Sequence, residues 1–267
     1  MIVDYHMHLR DRREVIAHDT ASIGPFVEAA RRAGIDEIGF TEHVYYFRQT
    51  RELWTVPYQV DRCLYDLDSY VAAVLGAKER GLPVKLGLEV DYVPGREDET
   101  RAILEPYPWD YLLGSVHFVG GLGVDGEPRL SDAVGVEEAW RRYFETLADA
   151  ARSGVFDSLS HPDLVKIFGE RAAGFDYSPV VDAIAESGVA VEVSTAGLRK
   201  PVGELYPDRD FLAACRERGI PVTLASDAHT PDLVGHQFDR ARELLRSAGY
   251  ETITLFDGRR ARQEPLG

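Results

Sequence analysis

Short apolar runs of four to six residues recur along this chain, separated by longer stretches in which apolar positions return every three or four residues. The runs at 2–5, 35–40, 84–88, 111–116, 156–160, 189–193 and 221–225 have the length and composition of buried strands. The stretches at 23–33, 61–80, 136–153, 178–187, 208–218 and 231–248 carry the helical period. Gly34, Gly81, Gly154, Gly188, Gly219 and Gly249 each close a helical stretch just before a strand, as a C-terminal cap does. This repeated strand–helix punctuation predicts a largely parallel α/β sheet, closed or open. A last run at 252–256 reads as an additional strand or an edge piece. No composition shift, repeat or low-complexity tract divides the chain, so residues 1–267 read as a single domain.

One segment breaks the rhythm. Residues 44–70 are long and aromatic, with Tyr45, Tyr46, Phe47, Trp54 and Tyr58 between a strand end and a helix. Long connections inside compact domains are often lids or binding loops, so this insert is expected to be either a lid or an aromatic-anchored surface piece.

Composition narrows the class. At 45% hydrophobic residues the chain can build a substantial core, and it has no apolar run long enough for a transmembrane helix. The two cysteines, Cys63 and Cys215, are too few and too separated for a disulfide framework. With no signal-peptide pattern, the expectation is a cytoplasmic protein without a membrane partner. The net charge of −15 repels nucleic-acid backbones, so no nucleic-acid partner is expected. If the substrate is itself anionic, something local must reverse that field, and bound metal ions would do so.

The histidines supply the chemistry. His6 and His8 follow the first strand, His43 the second, His117 the fourth, His161 the fifth and His229 the seventh. Glu89 ends the third strand and Asp227 the seventh. A lone histidine after a strand is ordinarily a cap or a core residue. In a parallel α/β fold, however, all strand C-termini share one face, and six histidines with two carboxylates there are poorly explained as separate accidents. His6 and His8 project to the same side of an extended segment and can share one ion. Imidazoles suit zinc, iron and manganese, and carboxylates can bridge two ions. His18 lies in a loop before the first helix and is a further candidate ligand. So many donors exceed one tetrahedral site and call for two or three divalent ions. His236 falls inside a helical pattern and is expected to stay out of the coordination sphere.

His6-Met7-His8, Thr41-Glu42-His43, Gly87-Leu88-Glu89-Val90-Asp91-Tyr92, Ser115-Val116-His117-Phe118 and Ser226-Asp227-Ala228-His229 together resemble the polymerase-and-histidinol-phosphatase (PHP) superfamily. Within it, the stretches His161 to Lys166 and Ser194 to Lys200 are most similar to the monofunctional histidinol-phosphate phosphatases. The resemblance runs from residue 2 to about 240 and implies a distorted (β/α)7 barrel with a trinuclear site at the strand C-termini. It implies one metal on His6, His8, Glu89 and Asp227. Glu89 would bridge to a second on His117 and His161, and a third would sit on His18, His43 and His229.

The implied reaction is hydrolysis of L-histidinol phosphate to L-histidinol and phosphate, a step of histidine biosynthesis, by attack of a metal-bridging hydroxide. Glu89, Asp227 and His229 form the expected catalytic group, with Asp163 or a bound water protonating the leaving alcohol. Arg199 and Lys166 are expected at the substrate phosphate, a fork and a point charge respectively. Glu42, Asp91 and the aromatics of 44–70 are available to its cationic half. Arg10, Arg12, Arg13 and Arg48 read as solvated. The chain has neither a GxSxG nor a GxxxxGK[ST] motif. Two other readings stay open: a phosphoesterase for another small ester or nucleotide, and a non-catalytic metal-binding domain.

Overall fold

The computed structural model describes residues 1–9 and 18–267. In chain order the first strands are β1 (Val3–Asp4), β2 (Glu37–Phe40), β3 (Val84–Asp91) and β4 (Tyr111–Ser115). A small hairpin, β5 (Phe118–Val119) and β6 (Leu122–Gly123), comes next. β7 (Ser158–Leu159), β8 (Ala190–Ser194) and β9 (Val222–Ala225) follow, and β10 (Thr252–Asp257) with β11 (Arg260–Pro265) closes the chain. The helices are α1 (Thr20–Ala33), α2 (Pro57–Val60), α3 (Leu67–Glu79), α4 (Glu97–Leu104), α5 (Leu130–Val134), α6 (Val136–Arg152), α7 (Ser178–Ser187), α8 (Arg209–Glu217) and α9 (Phe238–Ser247).

Seven strands form one sheet in the order β1-β2-β3-β4-β7-β8-β9, each neighbouring pair parallel. The first and last strands are drawn together by backbone bonds. Tyr5 N–H donates to the Leu224 carbonyl at 3.1 Å, and His8 N–H to the Ala228 carbonyl at 2.8 Å. The sheet therefore curls into a nearly closed seven-stranded barrel, which the resemblance implies and which settles the choice the sequence pattern left open between a closed and an open sheet. Helices pack outside it; α6 buries Trp140, Tyr143, Phe144 and Leu147 while Glu138, Arg141 and Glu145 pair on its exposed face. The six capping glycines all adopt left-handed φ, between 66° and 86°.

One end of the barrel is plugged by aromatics. Tyr111 donates its hydroxyl to the Tyr5 carbonyl at 2.7 Å and stacks on Phe256 of β10 at 5.5 Å. Only glycine leaves room for that ring: a Cβ at Gly39 would meet the Tyr111 hydroxyl at 1.9 Å, and one at Gly87 its Cζ at 2.6 Å. The run at 252–256 is thus one strand of an antiparallel hairpin that caps the barrel floor. Burying Phe256 there contributes about 1.5–3 kcal/mol.

Three segments depart from the helical pattern. The stretch 61–80 is helical only from Leu67, and 231–248 only from Phe238, because Pro231 and the left-handed Gly235 (φ 65°) interrupt the first turns. α4 has no counterpart in the predicted elements; half of its eight residues are charged and it presents too few apolar positions to show a period. The aromatic insert is a wall rather than a loose loop. Tyr45, Tyr46, Phe47 and Trp54 are buried, and only Tyr58 among its aromatics is well exposed.

Candidate metal centre

The strand ends converge as the sequence predicts. Glu89, near the end of β3, is 1% exposed and stands between two sets of imidazoles. Its Oε2 faces His43 Nδ1 at 2.6 Å, His6 Nε2 at 3.4 Å and His8 Nε2 at 3.6 Å. Its Oε1 faces His161 Nε2 at 3.0 Å and His117 Nε2 at 3.6 Å, and accepts from Ser115 Oγ at 2.8 Å. Asp227 Oδ1 lies 3.3 Å from His8 Nε2 and 3.8 Å from His6 Nε2. His229 stacks on His8 at 4.3 Å and places Nδ1 3.4 Å from Asp227 Oδ1.

Among the described residues, four groups bring their donor atoms within 4.8 Å of one another. They are His6–His8–Asp227, His6–Glu89–His161, His43–Glu89–His117 and His8–His43–His229. His18 belongs to none of them. Its Nε2 faces Glu42 Oε1 at 3.7 Å, in a nest of Phe47, Tyr65 and Tyr70 rings. The His8–His43–His229 group therefore forms without the histidine that the resemblance assigns to it. Arg10, Arg12 and Arg13 lie outside the described residues.

Behind the imidazoles stands a layer of buried carboxylates. Glu192 Oε2 takes His6 Nδ1 at 2.9 Å, Asp91 Oδ1 takes His117 Nδ1 at 2.6 Å, and Glu42 Oε2 lies 3.6 Å from His8 Nδ1. Glu192 and Asp91 engage Nδ1 and turn Nε2 toward Glu89, the arrangement by which carboxylates orient metal-binding histidines, while Glu42 stands beside His8 without a hydrogen bond. Gln59, from the aromatic insert, holds the second oxygen of Asp91 at 2.8 Å. Glu42 and Asp91 are thus behind the candidate donors, and neither lines the cavity. Glu42 also accepts the Leu9 N–H at 2.8 Å.

A cation fits this cage. His6 Nε2, His8 Nε2, His43 Nδ1 and Glu89 Oε2 are buried with no hydrogen-bond partner, although buried polar atoms are ordinarily satisfied. Burial opposes the charge on Glu89, yet His43, His6 and His117 hold its carboxyl well below the usual range. Burial likewise opposes a proton on His117, and Asp91 with Glu89 overcome it and push the ring up to about 10. The carboxylates draw positive charge onto the rings. Divalent ions satisfy that demand and the orphaned nitrogens together.

The backbone at two donors is left-handed without being glycine: His161 at φ 24° and Asp227 at φ 50°. Such conformations persist where the surroundings over-determine them. Asp4 of β1 accepts Ser226 N–H at 2.9 Å, Ser226 Oγ–H at 2.6 Å and Gly235 N–H at 3.0 Å. Arg199 donates through Nη2 to the carbonyls of Ser226 and Asp227, at 2.8 and 3.0 Å. Burial pushes the Asp4 carboxyl up to about 6, and its hydrogen bonds oppose that.

These contacts correct three expectations. Arg199 braces the turn that carries Asp227 instead of reaching into the open cavity. Lys166 and Asp163 pair with each other: both are wholly buried, with Lys166 Nζ 2.8 Å from Asp163 Oδ2 and donating to the Leu205 carbonyl at 2.8 Å. Burial pushes the Asp163 carboxyl up even beside that ammonium. Neither lines the cavity, whose cations are Arg62 and Lys200. Arg48 donates to the Leu64 carbonyl at 2.6 Å. Lys166→Met is expected to destabilise the fold by about 3–5 kcal/mol in urea unfolding, because it strands a buried carboxylate. Lys166→Met/Asp163→Asn should recover much of the loss. A Lys166→Met protein of normal stability and weakened phosphate binding would return this lysine to the substrate.

Lys200 is missing from the sequence expectations, and so are two buried residues, Glu192 and Asp4. Both are carboxylates inside apolar strand runs, VAVEVS and MIVDY, and that mismatch was the available signal.

The donors open into a cavity of about 330 Å³. His43, Glu89, His117, His161, Asp227 and His229 line it, together with Tyr45, Tyr46, Tyr58 and Phe118, the carboxylates Asp125 and Glu127, and the cations Arg62 and Lys200 among others.

The PHP domain family model matches residues 4–196. A protein of Deinococcus radiodurans named a probable histidinol-phosphatase is 35% identical over 267 residues, covering 95% of this chain and 96% of its own. The histidinol-phosphatase of Bacillus subtilis is 29% identical over 245 residues, covering 80% and 89% respectively. Among solved structures, histidinol phosphate phosphatase from Lactococcus lactis, complexed with zinc, L-histidinol and phosphate, superposes with a TM-score of 0.75. That pair covers 98% of each chain at 21% identity.

Proposed function

The chain belongs to the PHP domain family, and from that premise we propose that it is a metal-dependent phosphomonoesterase that hydrolyses L-histidinol phosphate. The observation that carries the reading is Glu89, whose two oxygens face separate sets of imidazoles as a bridging ligand requires. His6, His8 and Asp227 would hold one ion with Glu89, and His117 and His161 a second. His43 and His229 would be left as donors for a third. Zinc, manganese and iron all suit this donor set. When bound, such ions neutralise phosphate charge and activate water for in-line attack.

The chain's own contribution is orientation and charge. Glu192 and Asp91 fix the His6 and His117 imidazoles with Nε2 inward. Lys200 offers the phosphate a positive charge at the cavity wall. His229 is held neutral near pH 7: burial, with His8 beside it, pushes its ring down to about 3. The cavity is lined by both polar donors and aromatic rings, and its size suits a small ester better than a polymer. Among the described residues, no helix is long and apolar enough to cross a membrane.

The test strips the purified protein and reloads it with zinc, manganese or iron before assaying L-histidinol phosphate and a panel of phosphate mono- and diesters. We expect a preference for L-histidinol phosphate of roughly 100-fold or more in kcat/KM. Comparable low rates on many esters would favour a generalist, and silence on all of them a binding domain.

A further inference from the structure

α2 lies within the aromatic insert, and its consecutive residues Tyr58 and Gln59 turn to different tasks. Side chains one position apart on a helix diverge by about 100°, so the two do not share a face. Tyr58 is 43% exposed and borders the cavity, with its ring 5.9 Å from that of Phe118. Gln59 is 3% exposed, and its Nε2–H donates to Asp91 Oδ2 at 2.8 Å. Asp91 Oδ1 in turn accepts from His117 Nδ1 at 2.6 Å. Two adjacent insert residues thereby grip two adjacent residues after β4, Tyr58 directly on Phe118 and Gln59 through Asp91 on His117.

His117 is held at both ring nitrogens by one strand. Residues two apart on a strand project to the same side, and β3 carries Glu89 and Asp91 at that spacing. Glu89 Oε1 lies 3.6 Å from His117 Nε2, and Asp91 takes Nδ1. The direction of the Asp91 carboxylate thus sets the direction of the ring. A carboxylate held at one oxygen only can pivot about its Cβ–Cγ bond, a torsion with broad wells. Among the described residues, Gln59 supplies the hold on the other oxygen. It does so as a neutral amide; a lysine or arginine there would bring a charge that repels an ion at Nε2. Gln59 itself has little freedom. Pro57 opens the helix, and the Gln59 N–H donates to the Val56 carbonyl at 3.0 Å. The Gln59 carbonyl accepts from the Arg62 N–H at 3.1 Å and from Cys63 Sγ at 3.4 Å.

Resting on the reading of Glu89 as a bridge between two ions, we propose that Gln59 is a positioning residue of the metal centre. Through Asp91 it fixes the His117 ring, so the aromatic insert governs how tightly the ion on Glu89, His117 and His161 is held.

The experiment measures zinc loss from the zinc-loaded full chain to a competing chelator, for wild type and for Gln59→Met, which keeps bulk and removes the donor. Gln59→Glu keeps the shape and turns an oxygen on Asp91 Oδ2, and it serves where the methionine variant does not fold. Either variant is expected to hold one zinc about 10-fold more weakly, the low end of what an outer partner of a metal-binding histidine contributes. The nitrogen-15 shifts of the His117 ring should change with it. Turnover of L-histidinol phosphate should fall at limiting zinc and recover in excess zinc, with KM unchanged. In an Asp91→Asn background, Gln59→Met should weaken zinc by less than about 2-fold further, because the path runs through Asp91. Zinc retention and His117 shifts that match wild type, whatever the thermal stability, would overturn the proposal. So would a full 10-fold loss from Gln59→Met when Asp91 is already asparagine. A wild-type chain that holds at most one zinc would sink the two-ion reading beneath it.

Discussion

Glu89→Gln is expected to cost the protein at least one bound ion per chain and to lower kcat/KM on L-histidinol phosphate by roughly 1,000-fold or more, the scale of several kcal/mol of metal stabilisation. The substitution preserves shape and exchanges one oxygen for an amide NH2. Whichever position the nitrogen takes, it faces imidazole nitrogens: His6, His8 and His43 on one side, His117 and His161 on the other. An amide nitrogen has no lone pair to offer a metal, so one half of the bridge is lost. The charge is lost as well. In the wild-type protein Glu89 stays ionised against the cost of burial because the surrounding rings hold its carboxyl low. Without that charge the cage has less attraction for any cation. Elemental analysis of the purified variant, with circular dichroism to show that the barrel persists, is the direct check. Normal metal content and near-normal turnover would defeat the bridging assignment.

The order of strands and helices was legible because its determinants are local, whereas closure into a barrel was implied only by the family resemblance. Apolar runs of strand length and glycines at left-handed caps are read one segment at a time, and all seven strands fall where those signals put them. The convergence of the candidate donors was legible for a related reason: strand C-termini in a parallel barrel share a face, so a donor at a strand end needs only its element to be placed. What lies one layer back did not show in this way. Lys166 and Asp163 sit beside a ligand in sequence, and nothing in their spacing reveals that they turn to each other, away from the cavity. Arg199 and Glu42 adjoin ligand segments in the same fashion and serve to hold backbone. Side-chain direction in a loop depends on what the rest of the fold places opposite it, and that is a tertiary fact. Glu192 and Asp4 had a fainter signal, a charge inside an apolar strand. The cost of burying a carboxylate makes that pattern informative, since the residue must find donors. Glu192 finds them on two ligands at once.

For that reason Glu192→Gln is expected to weaken zinc binding about 10- to 100-fold, the usual consequence of losing an outer partner of a metal-binding histidine. Glu192 Oε2 accepts from His6 Nδ1 at 2.9 Å, which fixes the tautomer that leaves Nε2 open toward Glu89 and Asp227. Its Oε1 accepts the His161 N–H at 3.1 Å, where the backbone is held at φ 24°. One carboxylate thereby sets a ring for one cluster of donors and the main chain for the next. Glutamine can accept at only one of these positions. If its nitrogen faces His6, the ring must present a lone pair at Nδ1 and carry its proton on Nε2, where it blocks the metal. If the nitrogen faces His161, the strained backbone loses its acceptor. Burial works against protonation of His6, and Glu192 is the foremost of the groups that raise its ring above the usual range in spite of it. Three measurements separate this role from simple packing: zinc titration against a competing chelator, activity as a function of added zinc, and the nitrogen-15 shifts of the His6 ring. Orientation by Glu192 predicts weaker zinc binding, activity restored in large part by excess zinc, and a changed His6 tautomer. A variant that binds zinc normally with an unchanged His6 tautomer, and differs only in thermal stability, would assign Glu192 to packing and leave the alignment of the two donor clusters to Glu89 alone.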